Sequence, residues 1–134
     1  MRTALRVVSI VLALFLAVSA VAGGIGILTG FIPLGEELLQ GSPFASYTLP
    51  GLALAILVGG AALFASILLF RRSRYALLVL TTAGVVIMFF EFVEVMAIGS
   101  PPGPARFLQI FYYAWGVGLV VVSMAAWLAE LRSH

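Results

Sequence analysis

Four long apolar runs organise the chain, at residues 5–28, 49–70, 75–98 and 105–131. A helix needs about 20 predominantly apolar residues to cross a bilayer, and each run meets that length. Ser9 and Ser19 are the polar interior positions of the first run, Ser66 that of the second, and the third carries Glu91 and Glu94. Continuous apolarity over this length predicts helices, because an open strand in lipid would leave its backbone N–H and C=O groups unpaired. The predicted fold is all-α: a membrane-spanning antiparallel four-helix bundle, with residues 1–134 forming a single transmembrane domain.

The breaks between the runs set the topology. Arg71-Arg72-Ser73-Arg74 is a tight basic turn, and Gly99-Ser100-Pro101-Pro102-Gly103-Pro104 is a tight rigid one. Pro104 suits the first turn of a helix, where its missing N–H costs nothing. Short connections make successive helices antiparallel neighbours. Residues 30–48 form the one long loop, within which Glu36-Glu37-Leu38-Leu39-Gln40 could make one or two helical turns at the membrane interface. Pro50 falls near the start of the second helix, with Thr48 as a candidate cap. The first run also has the look of a secretory signal: Arg2 and Arg6, an apolar stretch from Val7 to Val18, and Ala20-Val21-Ala22 as a cleavage site. Apolarity continues past Ala22 to Leu28, which favours a retained helix. The halves share no motif that would mark an internal repeat.

Composition narrows the solvent to lipid. Hydrophobic residues make up 63% of the chain and charged residues 9%, against about 25% charged in a soluble domain. A water-soluble fold of this size has too much surface to hide so much apolar side chain. The seven basic residues are all Arg, and the chain has no Asp. Scattered as they are, they form no basic stripe for nucleic acid. The absence of Cys removes disulfide, thiol-redox and thiolate-metal chemistry. The only His is His134, so a His-built metal or haem site is not expected. No cofactor is called for.

Six Arg (2, 6, 71, 72, 74 and 132) fall on one side of the predicted bundle and Arg106 alone on the other. The positive-inside rule then places both termini and the Arg71 turn in the cytoplasm. The expected location is the plasma (inner) membrane of a bacterium, as a multi-pass protein. Arg71, Arg72 and Arg74 are first a topology signal, and secondarily a candidate contact for anionic lipid head groups. Glu36 and Glu37 read as solvated loop residues.

Glu91 and Glu94 break the hydrophobic pattern most meaningfully. Three residues apart, they share a helix face. At about 1.5 Å per residue, Glu91 lies on the order of 10 Å and Glu94 roughly 6 Å below the end of the third helix. A carboxylate costs about 2.5–3.5 kcal/mol at mid-membrane, so these groups should be protonated or paired. The expected partners lie on the fourth helix, where Arg106, Gln109 and Tyr113 share a face. Arg106 can meet Glu94, and Gln109, Tyr112 or Tyr113 can meet Glu91. The cluster Glu91, Glu94, Arg106, Gln109 and Tyr113 reads first as a helix-locking network, since hydrogen bonds between membrane helices average about 0.6 kcal/mol. The alternative readings are a binding site for a proton, ion or small molecule, and an interface with another subunit.

Other features have simpler readings. Ala13/Ala17, Ala22/Gly26/Gly30 and Ala61/Ala65 recur at intervals of four, a spacing that lets membrane helices approach closely. Phe44, Tyr47, Phe107, Phe111, Tyr112 and Tyr113 cluster near the predicted outer boundary, where an aromatic belt is expected. Gly23-Gly24-Ile25-Gly26 is no nucleotide loop, because it follows no strand and lies in a spanning segment. Catalysis has little support: no Ser has an adjacent base, and nothing marks a substrate for the carboxylate pair.

Two stretches carry a resemblance. Ser42-Pro43-Phe44-Ala45-Ser46-Tyr47-Thr48-Leu49-Pro50-Gly51 and Phe90-Glu91-Phe92-Val93-Glu94-Val95-Met96-Ala97-Ile98-Gly99, followed by Gln109 and Tyr113, resemble a group of small uncharacterised four-helix integral membrane proteins of bacteria. Those proteins tend to show Pro-Phe-x-x-Tyr-x-x-Pro-Gly before the second helix and an acidic or amide residue before Ile-Gly at the end of the third. The resemblance implies the four-helix topology and singles out Glu94 and Gln109; it implies no activity. The leading functional expectation is a non-enzymatic accessory or interaction subunit of a membrane assembly, with the lipid bilayer, other membrane subunits or further copies of itself as partners. The alternative is translocation of a proton, ion or small molecule by the carboxylate pair.

Overall fold

The computed structural model describes residues 3–29, 51–100 and 103–132. All regular structure among them is helical. We label the helices α1 (Thr3–Thr29), α2 (Ala53–Phe70), α3 (Ala76–Ile98) and α4 (Pro104–Arg132). Each is long and apolar enough to cross a membrane. The boundaries fall within a residue or two of those expected, except at the start of α2. There the segment Ala53–Val58 is π-helical before the α-helix resumes at Gly59. The expected interfacial turns at Glu36–Gln40, the Thr48/Pro50 cap and the belt residues Phe44 and Tyr47 lie outside the described residues, as does Gly30 of the small-residue series.

The helices pack as a closed ring of neighbours: α1 on α2, α2 on α3, α3 on α4 and α4 back on α1. Across the ring, the backbones of α1 and α3 approach only slightly, and those of α2 and α4 do not approach closely among the described residues. The interior is small and dry, built from Ala13, Leu16, Ala62, Ala65, Leu80, Ala83, Ile87 and Leu119, none of them accessible. Large apolar side chains such as Val18, Phe64, Leu78, Phe89, Met96 and Ile110 point outward instead. Water-soluble monomers rarely expose apolar patches beyond a few hundred Å²; a lipid-facing surface requires them.

Small residues set the helix spacing, as the sequence suggested for Ala13, Ala17, Ala65 and Gly26, all buried. Ala22, of the same series, is exposed. One close approach lies between α3 and α4, where a Cβ on Gly84 would sit 2.8 Å from the Gly116 carbonyl oxygen and one on Gly116 would meet Ile87 and Met88 at 2.7 Å. On the other side of the ring a Cβ on Gly24 would lie 2.6 Å from Cβ of Ala55, in the π-helical turn.

Most polar side chains in the apolar runs are satisfied within their own helix. Ser9, Ser66, Thr81, Thr82 and Ser123 each donate to the carbonyl four residues back, at 2.7–2.9 Å. Such back-bonding lets a hydroxyl sit in lipid or in a core without an interhelical partner. Two side chains among the described residues bond to another helix. Trp115 Nε1 donates to the Leu12 carbonyl at 3.0 Å. Arg6 donates through Nε to the Leu69 carbonyl at 3.0 Å and through Nη2 to that of Phe70 at 3.2 Å. These carbonyls belong to the last turn of α2, where the regular intrahelical ladder ends, and a cation there also suits the helix dipole.

The basic turn closes α2 with a Schellman motif. Ser73 N–H donates to Leu68 O at 3.0 Å and Arg72 N–H to Leu69 O at 3.2 Å. The position that usually takes Gly is here Arg72, with φ 56°.

Candidate functional site

Helices α3 and α4 hold the polar cluster at the end of the molecule formed by their connecting turn. Glu91 projects from the last third of α3, and Gln109 from the second turn of α4. They are 5% and 6% exposed, in a helix pair whose other buried positions are Ala, Gly, Leu, Ile and Ser123. Gln109 Nε2 donates to the Gly99 carbonyl at 3.1 Å, just past the end of α3. Gly99 itself turns the chain with φ 79° and donates its N–H to Val95 O at 2.8 Å. The amide of Gln109 is thereby held with its N–H toward the turn and its oxygen free.

That leaves two buried acceptors without partners, Glu91 Oε2 and Gln109 Oε1, which are the only such atoms among the described side chains. The neighbouring ionisable group is Glu94, half-buried three residues along the same helix face.

Arg106 does not neutralise the pair. Its Nε donates to the Ser100 carbonyl at 3.1 Å and to Ser100 Oγ at 3.3 Å, and its Nη2 also reaches that carbonyl. The expected Arg106–Glu94 contact is thus replaced by a cap on the α3–α4 turn. The physical reason is local: Arg106 lies six residues from Ser100, and an exposed guanidinium reaches a free turn carbonyl without the cost of burial. The structure likewise replaces the expected Gln109–Glu91 bond with the Gln109–Gly99 bond.

Glu91, Gln109 and Tyr113 nevertheless converge, because all three line one groove of about 430 Å³. Phe92, Val95, Ser100, Ile110 and Ala114 complete its wall. These five are not evident from composition, but helical spacing locates several of them. Val95 follows Glu91, and Ala114 follows Ile110, at intervals of four, which puts each pair on one helix face. Ser100 is found only through the geometry of the turn. Of the sequence-predicted cluster, then, three members share the groove, Glu94 adjoins it through Glu91, and Arg106 is turned to Ser100.

The remaining candidates lie elsewhere. Arg71, Arg72 and Arg74 are exposed at the α2–α3 turn, where Arg74 donates to the Tyr75 hydroxyl at 2.6 Å and lies 4.8 Å from that ring. Phe107, Phe111 and Trp115 stack at successive turns of α4, with Phe15 of α1 against Trp115 at 4.5 Å. A second groove of about 570 Å³ between α2 and α3 is lined wholly by Ala, Leu, Val and Phe, so it offers no group for recognition by hydrogen bonds. No group of three or more His, Cys, Asp or Glu able to hold a metal ion occurs among the described residues.

Comparison with protein-family models, with curated proteins and with solved structures finds no match. The functional reading therefore rests on the residues themselves.

Proposed function

We propose that the protein is a small non-enzymatic ligand-binding protein of a bacterial plasma (inner) membrane, taking a hydrogen-bond-donating or cationic solute into the groove between α3 and α4. One observation carries this reading. Two side chains more than nine-tenths buried, Glu91 and Gln109, each keep an acceptor oxygen without a partner and line the same groove. A buried acceptor left unpaired costs about 1–3 kcal/mol, and a helix lock would have spent those oxygens on its own donors. Arg106, the natural donor, is engaged at Ser100. Of the two readings in the sequence, binding or translocation through the carboxylate pair thus gains the better support.

The proposed architecture is an antiparallel four-helix bundle with both termini cytoplasmic, as in the bacterial group that the sequence resembles. Arg6, at the start of α1, bonds the end of α2, while Gly24, near the end of α1, meets Ala55 at the start of α2. Gly84 meets Gly116, and Gly99 meets Gln109, which orders α3 and α4 oppositely as well. The six-to-one distribution of Arg supports the orientation.

A second reading, an accessory subunit bound to another membrane protein or to a further copy, draws on α4. That helix is the least covered of the four and carries exposed Phe107, Ile110, Val121, Met124 and Trp127.

The test is a thermal-unfolding screen of the full chain in lipid nanodiscs, followed by Trp fluorescence, against cationic, neutral and anionic small solutes. A ligand present at about 100 times its Kd stabilises by about 2.7 kcal/mol. Stabilisation by cationic solutes that disappears in Glu91→Gln is the expected result. Equal behaviour of all three solute classes would remove the reading. Co-purification with a fixed partner at constant stoichiometry would favour the accessory one.

A further inference from the structure

The groove's chemistry narrows the ligand further. Its free protein atoms are acceptors: Glu91 Oε2 and Gln109 Oε1. Gln109 has already committed an N–H to the Gly99 carbonyl. The charged side chain in the wall is a carboxyl, a second carboxyl adjoins it, and the neighbouring guanidinium is bonded to Ser100. The atoms left unpartnered in the site are therefore acceptors beside two carboxyls, and a ligand that satisfies them brings donors and positive charge.

Three kinds of cation would supply the charge, and they differ in what they leave unsatisfied. A hard divalent metal ion takes six or more oxygen ligands, while half of this wall is Phe92, Val95, Ile110 and Ala114. A quaternary ammonium has no N–H and would leave both oxygens buried and unpaired; its usual site is an aromatic cage, and the wall has only Phe92 and Tyr113 as aromatic members. A primary ammonium carries three N–H donors in a tripod. That matches two unpartnered oxygens and leaves one donor for a hydroxyl of Ser100 or Tyr113, which also line the groove. The apolar half of the wall then calls for an apolar substituent, and about 430 Å³ lies in the lower part of the usual range for small-molecule sites.

We infer that the ligand of the α3–α4 groove is a primary ammonium bearing a compact apolar body, held by Glu91 and Gln109 through its N–H groups. This rests on the ligand-binding reading given above. It adds a selectivity which that reading does not require: affinity must fall as the N–H donors are methylated away.

The experiment titrates the full chain, in nanodiscs of zwitterionic phosphatidylcholine, with 2-phenylethylammonium, its N-methyl, N,N-dimethyl and N,N,N-trimethyl forms, 2-phenylethanol and Mg²⁺. The series acts on the unmodified protein and needs no variant to fold. A hydrogen bond to a charged group is worth about 1.5–3 kcal/mol, so the trimethyl form is expected to bind at least about tenfold more weakly than the primary amine. Gln109→Leu should weaken the primary amine about tenfold and leave the trimethyl form unchanged. Equal or tighter binding of the trimethyl form, or of Mg²⁺, would overturn the inference while leaving the groove a cation site. Absence of saturable binding by every cation in the panel would overturn both the inference and the reading beneath it.

Discussion

Replacing Glu91 by Leu separates a ligand site from a helix lock by the sign of one free-energy change. In the unliganded protein Glu91 Oε2 is buried without a partner, a cost of about 1–3 kcal/mol. The substitution removes that cost and puts apolar volume beside Phe92, Val95 and Ile110. Against this stands the loss of the carboxyl's other polar interactions, for which about 0.6 kcal/mol is the average between polar groups in membrane helices. The balance is a stabilisation of roughly 0.5–2.5 kcal/mol. Unfolding in mixed micelles by increasing SDS, followed by the fluorescence of Trp115 and Trp127, measures it. The same variant should lose the response to cationic solutes, the usual exchange of stability for function at a strained site. If Glu91→Leu instead unfolds more easily than the unmodified chain by about 1 kcal/mol or more, the carboxyl is holding helices together. The reasoning from its unpaired oxygen then fails.

Three other changes probe the fold that positions the groove. Gly116→Val should destabilise by at least about 1–3 kcal/mol, the range for overpacking, because its Cβ would meet Ile87, Met88 and the Gly84 carbonyl at under 3 Å; SDS unfolding reads the change. Arg72→Gly should stabilise by about 0.5–1 kcal/mol, since φ 56° costs glycine nothing, and the same titration reads it. Trp115→Phe keeps the stack on Phe111 but loses the bond to the Leu12 carbonyl, so a loss of about 0.6 kcal/mol, and no more than about 1.7, is expected from the same unfolding curve.

Much of this was legible in the chain because lipid imposes simple rules. Every backbone group must be satisfied within its own segment, so an uninterrupted apolar run of about 20 residues has one structural outcome, and four runs predicted four helices closely. The Gly84–Gly116 contact was not foreseen, because small residues are common throughout membrane helices and their spacing does not say which of them meet. The polar cluster was legible as a set of residue types, not as a set of bonds. Glu91, Gln109 and Tyr113 do share a groove, yet the expected Arg106–Glu94 and Gln109–Glu91 contacts are absent. Periodicity puts Arg106 and Gln109 on a face toward α3 but says nothing of the carbonyls of Gly99 and Ser100, which compete for the same donors. Those two turn carbonyls decide the chemistry, since they take up the protein's donors and leave the carboxyl and amide oxygens free.

Infrared difference spectroscopy reports on the side chain at the centre of the account. The full chain in lipid is perfused alternately with buffer and with 2-phenylethylammonium, and the carboxyl bands are compared. A ligand-induced change in carboxyl absorption is expected in the unmodified chain and should be absent in Glu91→Gln. A change that survives unaltered in Glu91→Gln, or no change at all while the amine binds saturably, would contradict it.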